Sequence, residues 1–257
     1  MDGIVVFGAG GRAGRAVTEE ARRRGRRVTA VVREPGRYPE LGTDGVSVVR
    51  GDVTDPGSVA EVVGGHVAAV HAVSPFSGPE QGFDSLDPEF FAKAADALLT
   101  GLAGAGVHRL IAVGLFANLL GADGRAVMDD PAAFPAEIRP FALAHTEGLR
   151  RLRKATGGRR DQARAAEGGT NPGGGPAEEG TGRGTVADVD WVMLTPPARL
   201  EHGAPRTGRY QLGGETAPDA TAHLSYADLA VAVLDEIETP TTHRTRVSVF
   251  NPGAPAR

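Results

Sequence analysis

The chain has 257 residues, 40% of them hydrophobic, a net charge of −4 at pH 7 and no cysteine. That length suffices to bury one sizeable α/β core. The missing thiols exclude disulfides, thiolate zinc sites and a cysteine nucleophile, and the acidic balance speaks against a general nucleic-acid binder. No apolar run is long enough to span a bilayer, and no secretory segment precedes the first apolar run. The expectation is a soluble, cytoplasmic protein, monomer or homodimer, whose partner is a small molecule rather than nucleic acid or membrane.

In chain order, Ile4 to Phe7 is a short apolar run suited to a buried strand. Gly8, Gly11 and Gly14 follow at three-residue spacing, and Arg15 to Arg24 continues as a helix. A strand feeding a Gly-rich turn that opens a helix is a phosphate cradle. Small residues admit a pyrophosphate to the backbone, and the helix start offers unpaired N–H groups. Glycine makes up 37 of the 257 residues, so the spacing alone is weak; its place between strand and helix carries the inference. The basic run 21–27 falls at the helix end, where cations complement the macrodipole and face solvent.

Apolar runs at 28–32, 46–49, 66–73 and 107–113 predict four further strands. Asp55 caps a helix with Pro56 in its first turn, and Asp87-Pro88 opens another that ends near Gly106. This alternation implies βαβ units, a parallel sheet and right-handed crossovers. The second half is less regular: a helix over 136–155, a strand over 189–194 and an outlying strand within 206–214. Ser225 to Glu238 reads as a helix whose Ser225 and Asp228 have capping-box spacing, and 246–250 is the closing strand. Residues 157–184 are rich in Gly, Pro and charge, which predicts a disordered surface insertion within one domain.

In dinucleotide folds the end of the second strand meets the adenosine ribose, where an acid favours NAD and a base favours NADP. Arg33 stands there, with Arg12 in the glycine turn and Glu34 expected to point away. NADP(H) is therefore expected in preference to NAD(H).

Together, GAGGRAG (8–14), VVREP (31–35), GDVTDP (51–56), AGVHRLIAVG (105–114), ALAHTEGLRRLR (142–153), DWVMLTPP (190–197), TGRYQLGG (207–214) and SYADLAVAVLDEIE (225–238) resemble one family. It is the atypical, NmrA-like short-chain dehydrogenase/reductases, specifically the NADH-flavin reductase group related to biliverdin IXβ/flavin reductase. The resemblance covers nearly the whole chain outside the Gly-rich segment. It implies a Rossmann-like, doubly wound parallel sheet in a single domain, with a small C-terminal substrate-side portion. It also implies roles. Gly8, Gly11 and Gly14, with Ala13 among them, hold the pyrophosphate, and Arg12 and Arg33 face the 2′-phosphate. Asp52 and Val53 meet adenine, although Asp52 equally suits capping of the turn before Pro56. Ala72, Val73 and Ser74 pass beneath the nicotinamide-side ribose, Val113 and Gly114 lie beside the nicotinamide, and Pro196 and Pro197 line its far wall.

The chain departs from the pattern where the usual enzymes carry a Tyr general acid and a Lys four residues later. Phe141 and His145 keep that spacing without the phenol or the ammonium, and Gly114, Leu115 and Phe116 replace the usual hydroxyl after the fifth strand. His145 is the candidate catalytic residue, since an unperturbed imidazole titrates near neutrality; a helix residue bonded to a backbone carbonyl is the alternative. The other histidines show no ligand spacing, and no metal site is expected. The expected function is NADPH-dependent hydride transfer to a planar, conjugated acceptor such as a flavin or quinone, with Phe76, Phe83, Phe116 and Phe134 as available stacking surfaces. The alternatives are a non-catalytic NADP(H) sensor of NmrA type and a biosynthetic tailoring reductase or isomerase.

Overall fold

The computed structural model describes residues 3–75, 86–166 and 184–252. Its elements run β1 (Ile4–Phe7), α1 (Arg12–Arg23), β2 (Val28–Val32), β3 (Val46–Arg50), α2 (Pro56–Val63), β4 (Ala68–His71), α3 (Phe90–Ala105) and β5 (Arg109–Val113). The second half adds α4 (Arg139–Ala166), β6 (Asp190–Thr195), β7 (Arg199–Glu201), β8 (Gln211–Leu212), β9 (His223–Ser225), α5 (Tyr226–Glu238) and β10 (Thr245–Phe250).

Eight strands form one sheet in the order β3-β2-β1-β4-β5-β6-β10-β8, with only β8 antiparallel to its neighbour. This is the doubly wound, Rossmann-like sheet that the alternating pattern implied. Successive residues of β1 serve opposite faces. Ile4 and Val6 pack with Val17 and Ala21 of α1 and Leu229 and Val233 of α5, whereas Val5 and Phe7 pack with Val59 of α2, Leu98 of α3 and Leu149 of α4. Both faces are thus covered by helices, which is why the strands read as continuous apolar runs. Because β1 pairs with β2 on one side and β4 on the other, the chain reverses its direction of winding between β1 and β4. The crevice for a ligand opens there, at the carboxyl ends of the strands.

Several boundaries differ from expectation. Helix α1 begins at Arg12, directly out of the glycine turn. Only Gln211 and Leu212 of the 206–214 stretch pair as a strand, and β7 and β9 form a separate two-stranded parallel sheet that no periodicity announced. Helix α4 continues to Ala166, so the first part of 157–184 has helical backbone rather than the predicted disorder. Arg, Gln and Ala dominate 159–166, and all favour helix. The remainder of that segment, 167–183, lies outside the described residues.

The basic run after α1 does more than complement a dipole. Arg24 lies 2.9 Å from Glu20, 2.7 Å from Asp235 and 2.7 Å from Glu238, and Arg26 reaches Glu238 at 3.0 Å, so the run fastens α1 to α5. Ser225 caps α5 through Asp228 N at 2.9 Å, but the reciprocal arm of the box is missing. The Asp228 carboxylate instead accepts from Thr207 N at 2.8 Å and Gly208 N at 2.7 Å, pinning that turn to the helix.

At the amino edge of the sheet, Arg109 is buried at the start of β5. It binds Asp190 at 2.6 Å and Glu236 at 2.8 Å, and donates to the Thr242 carbonyl at 3.1 Å, tying β5, β6 and α5 together. Removing one partner of a buried ion pair strands the other charge. Arg109→Met is therefore expected to lower stability by about 3–5 kcal/mol in urea unfolding, with the native circular dichroism spectrum retained at zero denaturant.

Candidate dinucleotide and acceptor site

The glycine turn is shaped by what it touches. Gly8 has φ +83°, and a Cβ there would lie 2.7 Å from the Ala72 carbonyl carbon and 2.8 Å from Val73 N. A Cβ on Gly14 would collide with the Gly8 carbonyl oxygen and sit 2.7 Å from Ala9 Cα. Gly11 is different: a Cβ would meet only Gly8 O, at 3.4 Å, so this position borders open space. Gly10, which the three-residue spacing passed over, lies under Tyr38, whose ring would be 2.5 Å from a Cβ. No side chain caps the start of α1, so the N–H groups of Arg12, Ala13 and Gly14 remain for an anion. A backbone this close to β4 with a free helix N-terminus fits a dinucleotide pyrophosphate.

At the glycine turn and the end of β2, Arg12 and Arg33 are exposed and form no ion pair among the described residues. Glu34 pairs with Arg37 at 3.3 Å, both side chains well exposed. Arg15 is consumed by Glu40 at 2.5 Å, donates to Gly10 O at 2.9 Å and stacks over Tyr38 at 5.7 Å. Asp52 Oδ1 accepts from Thr54 N at 2.9 Å and Thr54 Oγ1 at 2.7 Å, so the turn-capping role of Asp52 is real and leaves Oδ2 for a ligand. Val53 is 5% exposed with its side chain in the core, which leaves only its main chain for adenine.

Ala72, Val73 and Ser74 continue from β4 beside Gly8. At the end of β5, a Cβ on Gly114 would strike Thr195 Oγ1 and lie 3.1 Å from Met193 Cγ, so Gly114 is required by its neighbour strand. Thr195 is fully buried with its hydroxyl unpartnered among the described residues, and Pro196 and Pro197 are buried just beyond it. Next to these strand ends lies a narrow hollow of about 20 Å³, room for a water molecule, lined by His71, Phe91, Val113, His145 and Met193 with leucines, alanines and Gly148.

His145 stacks on Phe91 with ring centroids 3.9 Å apart and meets the edge of Phe141 at 5.8 Å. Neither of its nitrogens has a hydrogen-bond partner among the described residues, so the carbonyl-bonded alternative does not hold. Burial, followed by repulsion from His71, pushes its pKa down to about 3. Its surroundings thus favour the neutral form of the ring, against the near-neutral titration of a free imidazole. The sequence reading passed over His71, the last residue of β4; burial alone moves its pKa down to about 4. Its one available signal was position at a strand's carboxyl end. Asn118 was also missed: its amide donates to Ala142 O at 2.8 Å and to the Thr146 hydroxyl, holding the turn of α4 that carries His145. Phe134 packs against Ala117, Met128 and Ala142 rather than offering a free face, Phe116 is half-buried, and Phe76 and Phe83 lie outside the described residues.

Residues 8–156 match the family described as NAD(P)H-binding. The chain belongs to this NAD(P)H-binding family. It accordingly fits the atypical short-chain dehydrogenase/reductases. The protein YwnB of Bacillus subtilis, itself uncharacterized, is 28% identical over 96% of this chain and 98% of its own. A Bacteroides thetaiotaomicron structure provisionally named an epimerase is 29% identical over 99% of each chain, with a TM-score of 0.74. A Streptococcus pneumoniae structure provisionally named an NADH-flavin reductase has 23% identity over 98% of this chain and 100% of that one, with a TM-score of 0.71, and shares the fold. Among the described residues no helix is long and apolar enough to cross a membrane.

Two outcomes follow from the site. Gly14→Ala is expected to abolish NADPH binding in calorimetry, while Gly11→Ala, at the open position, stays within about threefold of wild type. The second concerns acid. The depressed imidazoles mean that between pH 6.5 and about 4 the unfolded chain binds protons which the native state refuses. Stability is therefore expected to fall as pH drops through that window. The slope between pH 6.5 and 5, above the carboxylate range, is expected to flatten in a His71→Phe/His145→Phe double variant followed by urea unfolding.

Proposed function

We propose that this protein is an NADPH-dependent oxidoreductase that reduces a planar, conjugated small molecule, of which flavins and quinones are examples. The observation that carries this reading is the shared end of β4. Gly8 rests against Ala72 and Val73, and the next residue back, His71, lines the apolar hollow, so cradle and hollow adjoin. When bound, the reduced nicotinamide supplies a hydride. The preference for NADPH is supported by Arg12 and Arg33, two exposed cations without carboxylate partners among the described residues, and by Glu34 being paired with Arg37.

The chain's own contribution is holding and drying the site. Phe91 and Phe141 make the surroundings of His145 apolar, and Thr195 brings a hydroxyl without a partner among the described residues to the end of β6, before buried Pro196 and Pro197. Orientation of two reactants in such a site supplies several kcal/mol of rate enhancement without a dedicated acid. With Phe141 in the usual Tyr position, a conjugated acceptor draws its proton from water, and neutral His145 serves as a hydrogen-bonding group rather than a cationic acid. The absent Tyr and Lys favour, as the second reading, a protein that binds NADP(H) without turnover.

The test is purified protein with NADPH and a panel of flavins and quinones, followed at the reduced-nicotinamide absorbance band. Oxidation is expected, with a pH profile lacking a histidine inflection between pH 5 and 8, and with Arg33→Glu raising KM for NADPH about tenfold relative to NADH. Tight NADPH binding without oxidation across the panel would select the sensor reading.

A further inference from the structure

The peptide between Gly10 and Gly11 is the one link of the glycine turn with glycine on both sides. No Cβ opposes its turning over, a motion that reverses the Gly10 carbonyl and the Gly11 N–H and carries Gly11 from its φ of −79° to positive φ. Direction matters in an anion cradle, which needs N–H groups toward the phosphates and carbonyl oxygens turned from them. Two contacts hold the plane: Gly11 N donates to Gly8 O at 3.0 Å, and Arg15 Nε donates to Gly10 O at 2.9 Å.

Arg15 is itself held from outside the turn. Its guanidinium pairs with Glu40 at 2.5 Å and lies 5.7 Å from the centre of the Tyr38 ring, and Tyr38 also covers Gly10. Leu41, buried in the same cluster as Val17 of α1, anchors this stretch to the core. The Arg15 and Glu40 side chains are both exposed, so their pairing adds little to stability. Its consequence is the placement of one donor against one carbonyl.

Resting on the dinucleotide-binding part of the reading above, we propose that Arg15 is a positioning residue for the pyrophosphate: steered by Glu40 and Tyr38, it locks the Gly10–Gly11 peptide in the orientation that keeps the Gly10 carbonyl out of the cradle. The connection after β2 thus sets affinity at a turn to which it does not belong. The lock acts on the diphosphate, which NADPH and NADH share, and is separate from any choice between them by Arg12 and Arg33. A guanidinium that attracted phosphate by charge alone would behave differently, because removing its carboxylate partner would strengthen binding.

The test is calorimetry of the full chain with NADPH and with NADH. Arg15→Met is expected to weaken both about tenfold, and Glu40→Ala to weaken both about threefold. Gly11→Ala in the Arg15→Met background is expected to recover most of the loss, because alanine disfavours positive φ and so opposes the turned-over peptide. The urea midpoints of the single variants are expected to stay near wild type, since both side chains are exposed; should Arg15→Met not fold, Glu40→Ala still decides by the sign of its effect. Arg15→Met binding within about twofold of wild type, tighter binding by Glu40→Ala, or no recovery with Gly11→Ala overturns this inference and leaves the dinucleotide reading in place. Wild-type protein that binds neither dinucleotide overturns both. The expected pattern of affinities without NADPH oxidation would keep this inference and remove the oxidoreductase reading.

Discussion

The contact between the Gly8 turn and the end of β4 is the constraint from which the rest of the site follows. A side chain at Gly8 would occupy the volume of the Ala72–Val73 peptide, and one at Gly14 would occupy that of the Gly8 carbonyl. Strand β1, the turn and helix α1 can therefore close up only with hydrogen at both positions. Closing them brings the unpaired N–H groups of α1 to the rim of the sheet where the winding reverses. The same approach fixes His71 one residue before Ala72, so the phosphate-facing turn and the apolar hollow are placed by a single packing event.

Around this contact the molecule separates its electrostatic tasks. Arg15, Arg24, Arg109 and Arg206 are each committed to carboxylates: Arg15 to Glu40, Arg24 to three partners, Arg109 to Asp190 and Glu236, and Arg206 to Glu20. Arg12 and Arg33, by the glycine turn and the end of β2, have no carboxylate partner among the described residues. The described residues lining the hollow beyond β4 include no charged side chain, only imidazoles whose pKa burial lowers.

Much of this was legible in the residues. The strand–turn–helix start, the run of parallel strands, the Asp55 and Ser225 caps and the left-handed Gly106 all follow from local rules, and the structure contains each of them. What local rules missed depends on long-range neighbours. Gly10 looks like filler until Tyr38 folds over it, and Gly11, which fits the spacing, turns out to have room for a side chain. The Asp228 carboxylate abandoned the capping box because the 207–208 turn offered it two N–H donors from elsewhere in the chain. His145 stands out by its spacing to Phe141, but the surroundings that lower its pKa come from α3 and β4, which spacing along α4 does not show. His71 had no spacing partner in the sequence and becomes visible only when β4 and α4 converge.

The buried ionic knot of Arg109, Asp190 and Glu236 sits where β5 and β6 begin, whereas the crevice lies where strands end. Cohesion and chemistry thus occupy opposite rims of one sheet. A change of side chain at the crevice therefore need not touch the ionic contacts at the opposite rim. A scaffold divided in this way can exchange the molecules it handles while keeping its architecture.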